Sequence, residues 1–193
     1  MGTRNLTAVY MDGEYRVAQY GQWDGYPEGQ GLTCLHFLQE MDESVFRKAI
    51  ENVKYYDIDT IKAIGEEFGT KEDGCISIEN YNALCSSYPA LSRDTASEIL
   101  QMIYDGSVKF LKNDLSFAAD SLYCEWAYVI DLDKRTFEVY EGFNKIPLTE
   151  KDRFYFLRDK EEGKYKCIRL AHEWSLDDLP CDEDFISAFC KNE

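Results

Sequence analysis

Two short runs of alternating apolar and polar residues, Asn5 to Met11 and Glu14 to Tyr20, flank the dipeptide Asp12-Gly13. Asp-Gly predicts a two-residue type I′ turn, whose backbone twist matches the strands it joins. That turn sets Met11 opposite Glu14, Tyr10 opposite Tyr15, Ala8 opposite Val17, Leu6 opposite Gln19 and Arg4 opposite Gly21. Leu6, Ala8, Tyr10, Tyr15 and Val17 then share one face, the expected buried one.

From Leu32 the apolar period lengthens to that of a helix. Cys34, Leu35, Leu38 and Met41 form one stripe, Val45, Phe46, Ala49, Ile50 and Val53 a second, and Ile58, Ile61, Ile64 and Phe68 a third. Ser77, and Ser92 or Asp94, are the expected N-caps of two further short helices, the last carrying Ile99, Leu100 and Ile103. Gly69, Gly74 and Gly106 read as stops, with Lys71-Glu72-Asp73-Gly74 an exposed loop. The pattern then returns to strands. Leu122 to Asp131 is apolar on both faces and predicts a central strand. Asp133-Lys134 turns it into Arg135 to Glu141, with Ile130 opposite Phe137 and Tyr128 opposite Val139. Phe154 to Leu157 and Tyr165 to Leu170 predict two more strands around a turn at Glu161-Glu162-Gly163. A last short helix carries Phe185, Ile186 and Phe189, and the acidic run from Asp177 to Asp184 suits its N-terminus.

These elements predict a single α+β domain over residues 1–193. Its sheet is mostly antiparallel, built from the N-terminal hairpin and a C-terminal meander, with residues 32–106 as a helical insert. The segregated order of strands and helices argues against a doubly wound nucleotide fold.

Composition narrows the function. Aromatic residues make up 15% of the chain, which excludes an acidic disordered protein. Against 21 Lys and Arg stand 37 Asp and Glu, a net charge of −16. Phosphate backbones and anionic membranes are recognised by clustered cations, so direct binding to nucleic acid or to a membrane surface is not expected. The excess is uneven: residues 1–31 hold two basic and four acidic residues, whereas residues 173–193 hold one basic and seven acidic. The field belongs mainly to the helical middle and the tail.

The seven cysteines include no C-x-x-C pair, and only His36 and His172 exist to complete a zinc site. The expectation is therefore reduced thiols in a cytoplasmic protein without metal or cofactor. The first residues lack the basic-then-apolar pattern of a signal peptide, and Leu6 stands where N-myristoylation requires Ser or Thr. No apolar run reaches membrane-spanning length.

One stretch is dense in unusual residues. Gly21-Gln22-Trp23-Asp24-Gly25-Tyr26-Pro27-Glu28-Gly29-Gln30-Gly31 joins a strand to a helix. Glycines there allow positive φ and close backbone approach, and the first amides of the following helix lack partners within it. With Arg4 alongside, the amides of Gln30 to Leu32 and the rings of Trp23 and Tyr26 would suit a planar ligand with an anionic end. Gln22 and Asp24 would orient it. The competing reading is a compact structural turn, in which Asp24-Gly25 forms an Asx-turn and Trp23 and Tyr26 plug the end of the sheet. The glycine spacing is neither a P-loop nor a Rossmann fingerprint.

Met1-Gly2-Thr3-Arg4, Tyr20-Gly21-Gln22-Trp23-Asp24-Gly25-Tyr26-Pro27 and Gly29-Gln30-Gly31 together resemble a group of bacterial, phage and fungal proteins without an assigned activity. The likeness extends to Ala127-Tyr128-Val129-Ile130-Asp131-Leu132-Asp133 and Leu176-Asp177-Asp178-Leu179-Pro180. A phage-like distribution implies action on host machinery.

Catalytic constellations are weak. An N-terminal nucleophile would need a side chain that Gly2 lacks, and Cys34, Cys124 or Cys167 would have to meet one of two histidines. The acidic run Asp177, Asp178, Asp182, Glu183 and Asp184 lacks a calcium-loop spacing. The sequence therefore favours a non-enzymatic acidic binding protein, possessing the charge of an anti-CRISPR or anti-defence inhibitor. Its expected partner is the basic surface of a nucleic-acid-binding protein. The alternative is a small-molecule module, or an enzyme, that uses Arg4 and the Gly21–Gly31 loop for a small anionic ligand.

Overall fold

A computed structural model describes residues 2–160 and 163–190. Strands β1 (Asn5–Met11) and β2 (Glu14–Gly21) form the hairpin, and Asp12 and Gly13 both take positive φ as a type I′ turn requires. Tyr10 faces Tyr15 as expected. A bulge then places the extra residue Arg16 in β2, so Val9 faces Val17, Ala8 faces Ala18, Thr7 faces Gln19 and Asn5 faces Gly21. The one-faced register anticipated for this hairpin is thus off by one beyond Tyr10, and Asn5 rather than Arg4 lies opposite Gly21. The reason is burial on both faces. Val9, Met11 and Val17 enter one apolar cluster while Leu6, Ala8 and Ala18 enter another.

Residues 32–106 hold α1 (Leu32–Glu40), α2 (Glu43–Glu51), the short strand β3 (Lys54–Tyr55), α3 (Ile58–Glu67), α4 (Ile78–Ser87) and α5 (Ile99–Tyr104). Ser77 caps α4 through Asn80 N as predicted. Neither Ser92 nor Asp94 caps α5, because a 3-10 turn over Ala96–Glu98 intervenes and the Ser92 hydroxyl instead accepts Asp94 N. Strand β4 (Phe110–Leu111) pairs with β3 in parallel.

The meander follows as β5 (Trp126–Asp131), β6 (Thr136–Glu141) and β7 (Arg169–Ser175), before the closing helix α6 (Asp182–Ser187). Strand order in the main sheet is β2-β1-β5-β6-β7, and β1 with β5 is its parallel pair. Ile130 faces Phe137 and Tyr128 faces Val139, as the turn at Asp133-Lys134 requires. Because β1 and β5 run parallel, their hairpin tips meet. The Asp133 carboxylate accepts both Asp12 N and Gly13 N at 2.9 Å.

The fold is α+β with a mostly antiparallel sheet whose strands β1, β5 and β6 are buried on both sides, while β7 is largely exposed. On one side Leu35, Leu38, Phe46, Ile50, Leu100 and Phe185 pack against Tyr128, Ile130 and Phe137. On the other, Ala118, Phe154 and Leu157 pack against Leu6, Ala127 and Val129. Three expectations are corrected here. The strand predicted from Leu122 starts at Trp126, after exposed Leu122 and Tyr123. Phe154 to Leu157 leads into a 3-10 helix (Tyr155–Lys160) rather than a strand, since Phe154 and Leu157 share one face at a spacing of three. The strand expected over Tyr165 to Leu170 is β7 and begins only at Arg169, because Ile168 N bonds Ala118 O outside the sheet. Of the turn Glu161-Glu162-Gly163, the two glutamates lie outside the described residues.

The free edge of β2 is closed by coil. Gln22 N donates to Arg93 O, Asp114 N to Ala18 O and the Gln19 amide to Ser92 O. Among the described residues no helix is long and apolar enough to cross a membrane.

Candidate functional site

The Gly21–Gly31 stretch is a folded knot of backbone. Asp24 sits at φ +52°, turning the chain so that Gly25 N reaches Thr3 O and Gln30 N reaches Asp24 O. A single π-turn over Pro27–Gly31 feeds directly into α1. Two glycines are demanded by contact rather than by φ: a Cβ on Gly25 would stand 2.7 Å from Thr3 O, and one on Gly29 2.2 Å from Asp24 O. Beneath the loop the Tyr128 hydroxyl donates to Gly25 O at 2.7 Å, and Ser97 N donates to the Gln30 side chain at 2.9 Å. Gln22 is equally engaged, accepting the Tyr20 hydroxyl.

This geometry corrects the anion cradle anticipated at the loop. Gln30 N bonds Asp24 O, Gly31 N bonds Tyr26 O, and Leu32 N is satisfied by Gly29 O and Pro27 O. No amide of Gln30 to Leu32 is left for a ligand. The Arg4 guanidinium points to the start of β5, 4.6 Å over the Tyr123 ring and 3.8 Å from Glu125.

What the loop does present is aromatic and acidic. Trp23 is 46% exposed and held by a 2.8 Å bond from its indole N–H to Asp94, and Tyr26 is 54% exposed. Beside them a surface depression is lined by Asp24, Tyr26, Glu28 and Gly29, two carboxylates and a phenol ring without a cation. Such a lining accepts a guanidinium or ammonium group, by charge and over the ring face.

The acidic segments are neighbours of this loop. Residues 32–106 carry 14 acidic and 6 basic side chains, residues 173–190 carry six acidic and none basic, and residues 107–172 are balanced at twelve each. The two acidic segments meet where His36 Nε2 lies 2.9 Å from Asp182 and the Gln39 amide donates to Pro180 O. Phe185 of α6 packs against Gly31. Of the acidic run, Asp177 pairs with Arg135 and Asp184 accepts the Cys181 thiol, while Asp178 and Glu183 are exposed. His172 is exposed and stacks on Trp174 at 3.9 Å.

A third cluster escaped the sequence reading. Asp131 and Glu138, 1% and 2% exposed, both receive the Arg153 guanidinium beside a cavity of about 490 Å³. The Tyr140 hydroxyl donates to Glu138, and burial drives the Tyr15 and Tyr140 phenols well above their ordinary range, so neither serves as a base. Glu138 set between Phe137 and Val139 was the available signal; Arg153 is fifteen positions further on and had none. All three charges are committed to one another, which makes the cluster a brace between β5, β6 and the loop that follows.

Buried Cys34 donates to the Ser97 hydroxyl, and burial pushes its thiol up to about 12. Cys124 and Cys167 are buried as well. Among the described residues no group of three His, Cys, Asp or Glu side chains is placed to hold a metal. Compared with protein-family models, curated proteins and solved structures, the chain matches none.

Proposed function

We propose that this is a non-enzymatic acidic binding protein that engages the basic surface of a nucleic-acid-binding protein, as an inhibitor of the phage or anti-defence type would. The observation that carries the reading is the depression at Asp24, Tyr26 and Glu28, flanked by exposed Trp23. Exposed Trp and Tyr are the residue types that anchor interfaces, and here carboxylates surround them. An arginine or lysine of the partner enters the depression, and the acidic segments 32–106 and 173–190 speed the encounter and compete with phosphate for the same cations. The small-anion alternative at Arg4 draws no support from a loop whose Gln30, Gly31 and Leu32 amides are bonded to its own carbonyls.

The test uses protamine loaded with fluorescent duplex DNA. The protein displaces the DNA, and its affinity for protamine falls as salt is raised. Asp24→Lys with Glu28→Lys weakens displacement about tenfold, whereas Glu150→Lys with Asp159→Lys on the charge-balanced segment costs about twofold. Equal losses for the two pairs, or affinity indifferent to salt, would overturn the proposal.

A further inference from the structure

A further cavity lies away from both the loop and the acidic junction and shares no lining residue with the loop's depression. It measures about 920 Å³ and opens between α3, α4 and the loop joining them, within the size range of small-molecule sites. Its floor is apolar: Ile61, Ile76, Tyr81, Leu84 and Leu91. Of these only Leu84 is buried, so the others line open space. Gly65 contributes no side chain to the wall, although glycine inside a helix is costly by about 1 kcal/mol relative to alanine.

The rim runs against the charge of its surroundings. Lys62, Lys71 and Lys112 converge on the cavity against Glu66 and Glu72, the first two from a segment that is otherwise strongly acidic. Lys62 is 3.8 Å from Glu66 and Lys112 is 2.7 Å from Asp114. Lys71 makes no ion pair among the described residues, and its backbone N is fixed by Cys75 O at the cavity mouth. An apolar floor with a free ammonium at its lip matches a molecule that is greasy along its length and anionic at one end.

We infer that this cleft binds a free long-chain carboxylate, the chain on Ile61, Ile76 and Leu91 and the headgroup at Lys71. The site is separate from the one proposed for the basic partner, and its ligand carries the opposite charge.

Titration with dansyl-labelled undecanoate tests it. Saturable, blue-shifted emission is expected, reversed by decanoate and far less by decanol. Lys71→Glu weakens binding about fivefold or more, and Ile76→Trp, which fills the cleft, abolishes it. Circular dichroism establishes that both variants stay folded, and Lys71→Arg, which keeps the charge, retains binding. An absence of saturable emission, competition by decanol equal to that by decanoate, or unchanged binding by Lys71→Glu would each overturn the inference. The Asp24 and Glu28 variants leave this binding intact, so its failure and that of the protamine experiment are separable.

Discussion

Helices α1 and α2 and helices α3 and α4 carry similar apolar stripes, yet they end in different environments. Leu35, Leu38, Phe46 and Ile50 are buried against the sheet. Of the stripe Ile58, Ile61, Ile64 and Phe68, only Ile64 is buried, and Ile58 is 83% exposed. Residues of the first pair share a core cluster with β1, β5 and β6, whereas no residue of α3 or α4 enters either core cluster. A helical stripe states that a face is apolar. Whether that face becomes core or cavity depends on what stands opposite.

The widest contrast is expected in thiol chemistry. Cys34 on α1 is buried and its thiol is pushed up to about 12, so a disulfide reagent reaches it only through global opening. Cys75 is exposed in the loop between α3 and α4, and half-buried Cys85 on α4 reacts by local opening. Mass-resolved labelling at neutral pH should show Cys34 slower than Cys85 by at least about a thousandfold, the scale of global stability. Comparable rates would dissolve the distinction.

Truncation sharpens it next. Phe46→Ala removes a fully buried ring that meets Phe37 edge-on, and urea denaturation should show a loss of about 3–5 kcal/mol. Ile61→Ala, at the cavity floor, should cost under about 1 kcal/mol because the half-buried side chain already lines open space.

The smallest effect concerns the helix caps. The Asp42 carboxylate takes the Ser44 hydroxyl and the amides of Val45 and Ser44, and Asp57 takes the amide of Thr60. These bonds favour the charged form and hold both carboxyls below their ordinary range. A folded-state value below the unfolded one adds stability above the unfolded pKa, about 3.9, and the gain disappears as pH falls through the folded value. Asp42→Ala should therefore lower the urea midpoint at pH 7 and converge with the parent in strong acid. Asp57→Ala should shift it less, since α3 contributes little to the common core. An equal shift would mean that both helix pairs unfold as one unit.

Much of this was readable along the chain. Asp12-Gly13 specified the first turn, Ser77 a cap, and the double-faced run ending at Asp131 a central strand, because each depends on local geometry or alternation. The hairpin bulge was not readable. It is set by the second face that helices and 3-10 turns bury from either side. The aromatic and acidic character of the loop was legible in Trp23, Asp24, Tyr26 and Glu28, but the use of its amides was not, since Asp24 O and Tyr26 O reach them only after the chain has turned back. The Asp131–Glu138–Arg153 brace was hidden for the same reason. Two of its members neighbour each other across a strand pair, while the third arrives from a separate loop.

By itself the sequence determined the fold class, the positions of most elements, the strongly negative charge and the loop that stands out. These follow from composition, periodicity and turn chemistry, which act between residues near one another in the chain. Only the tertiary structure decided that β5 lies parallel to β1, that Arg4 turns toward Tyr123, that the two acidic segments meet at His36 and Asp182, and that α3 and α4 enclose open space. Those outcomes depend on which surfaces compete to cover the sheet, and that competition is between residues a hundred positions apart.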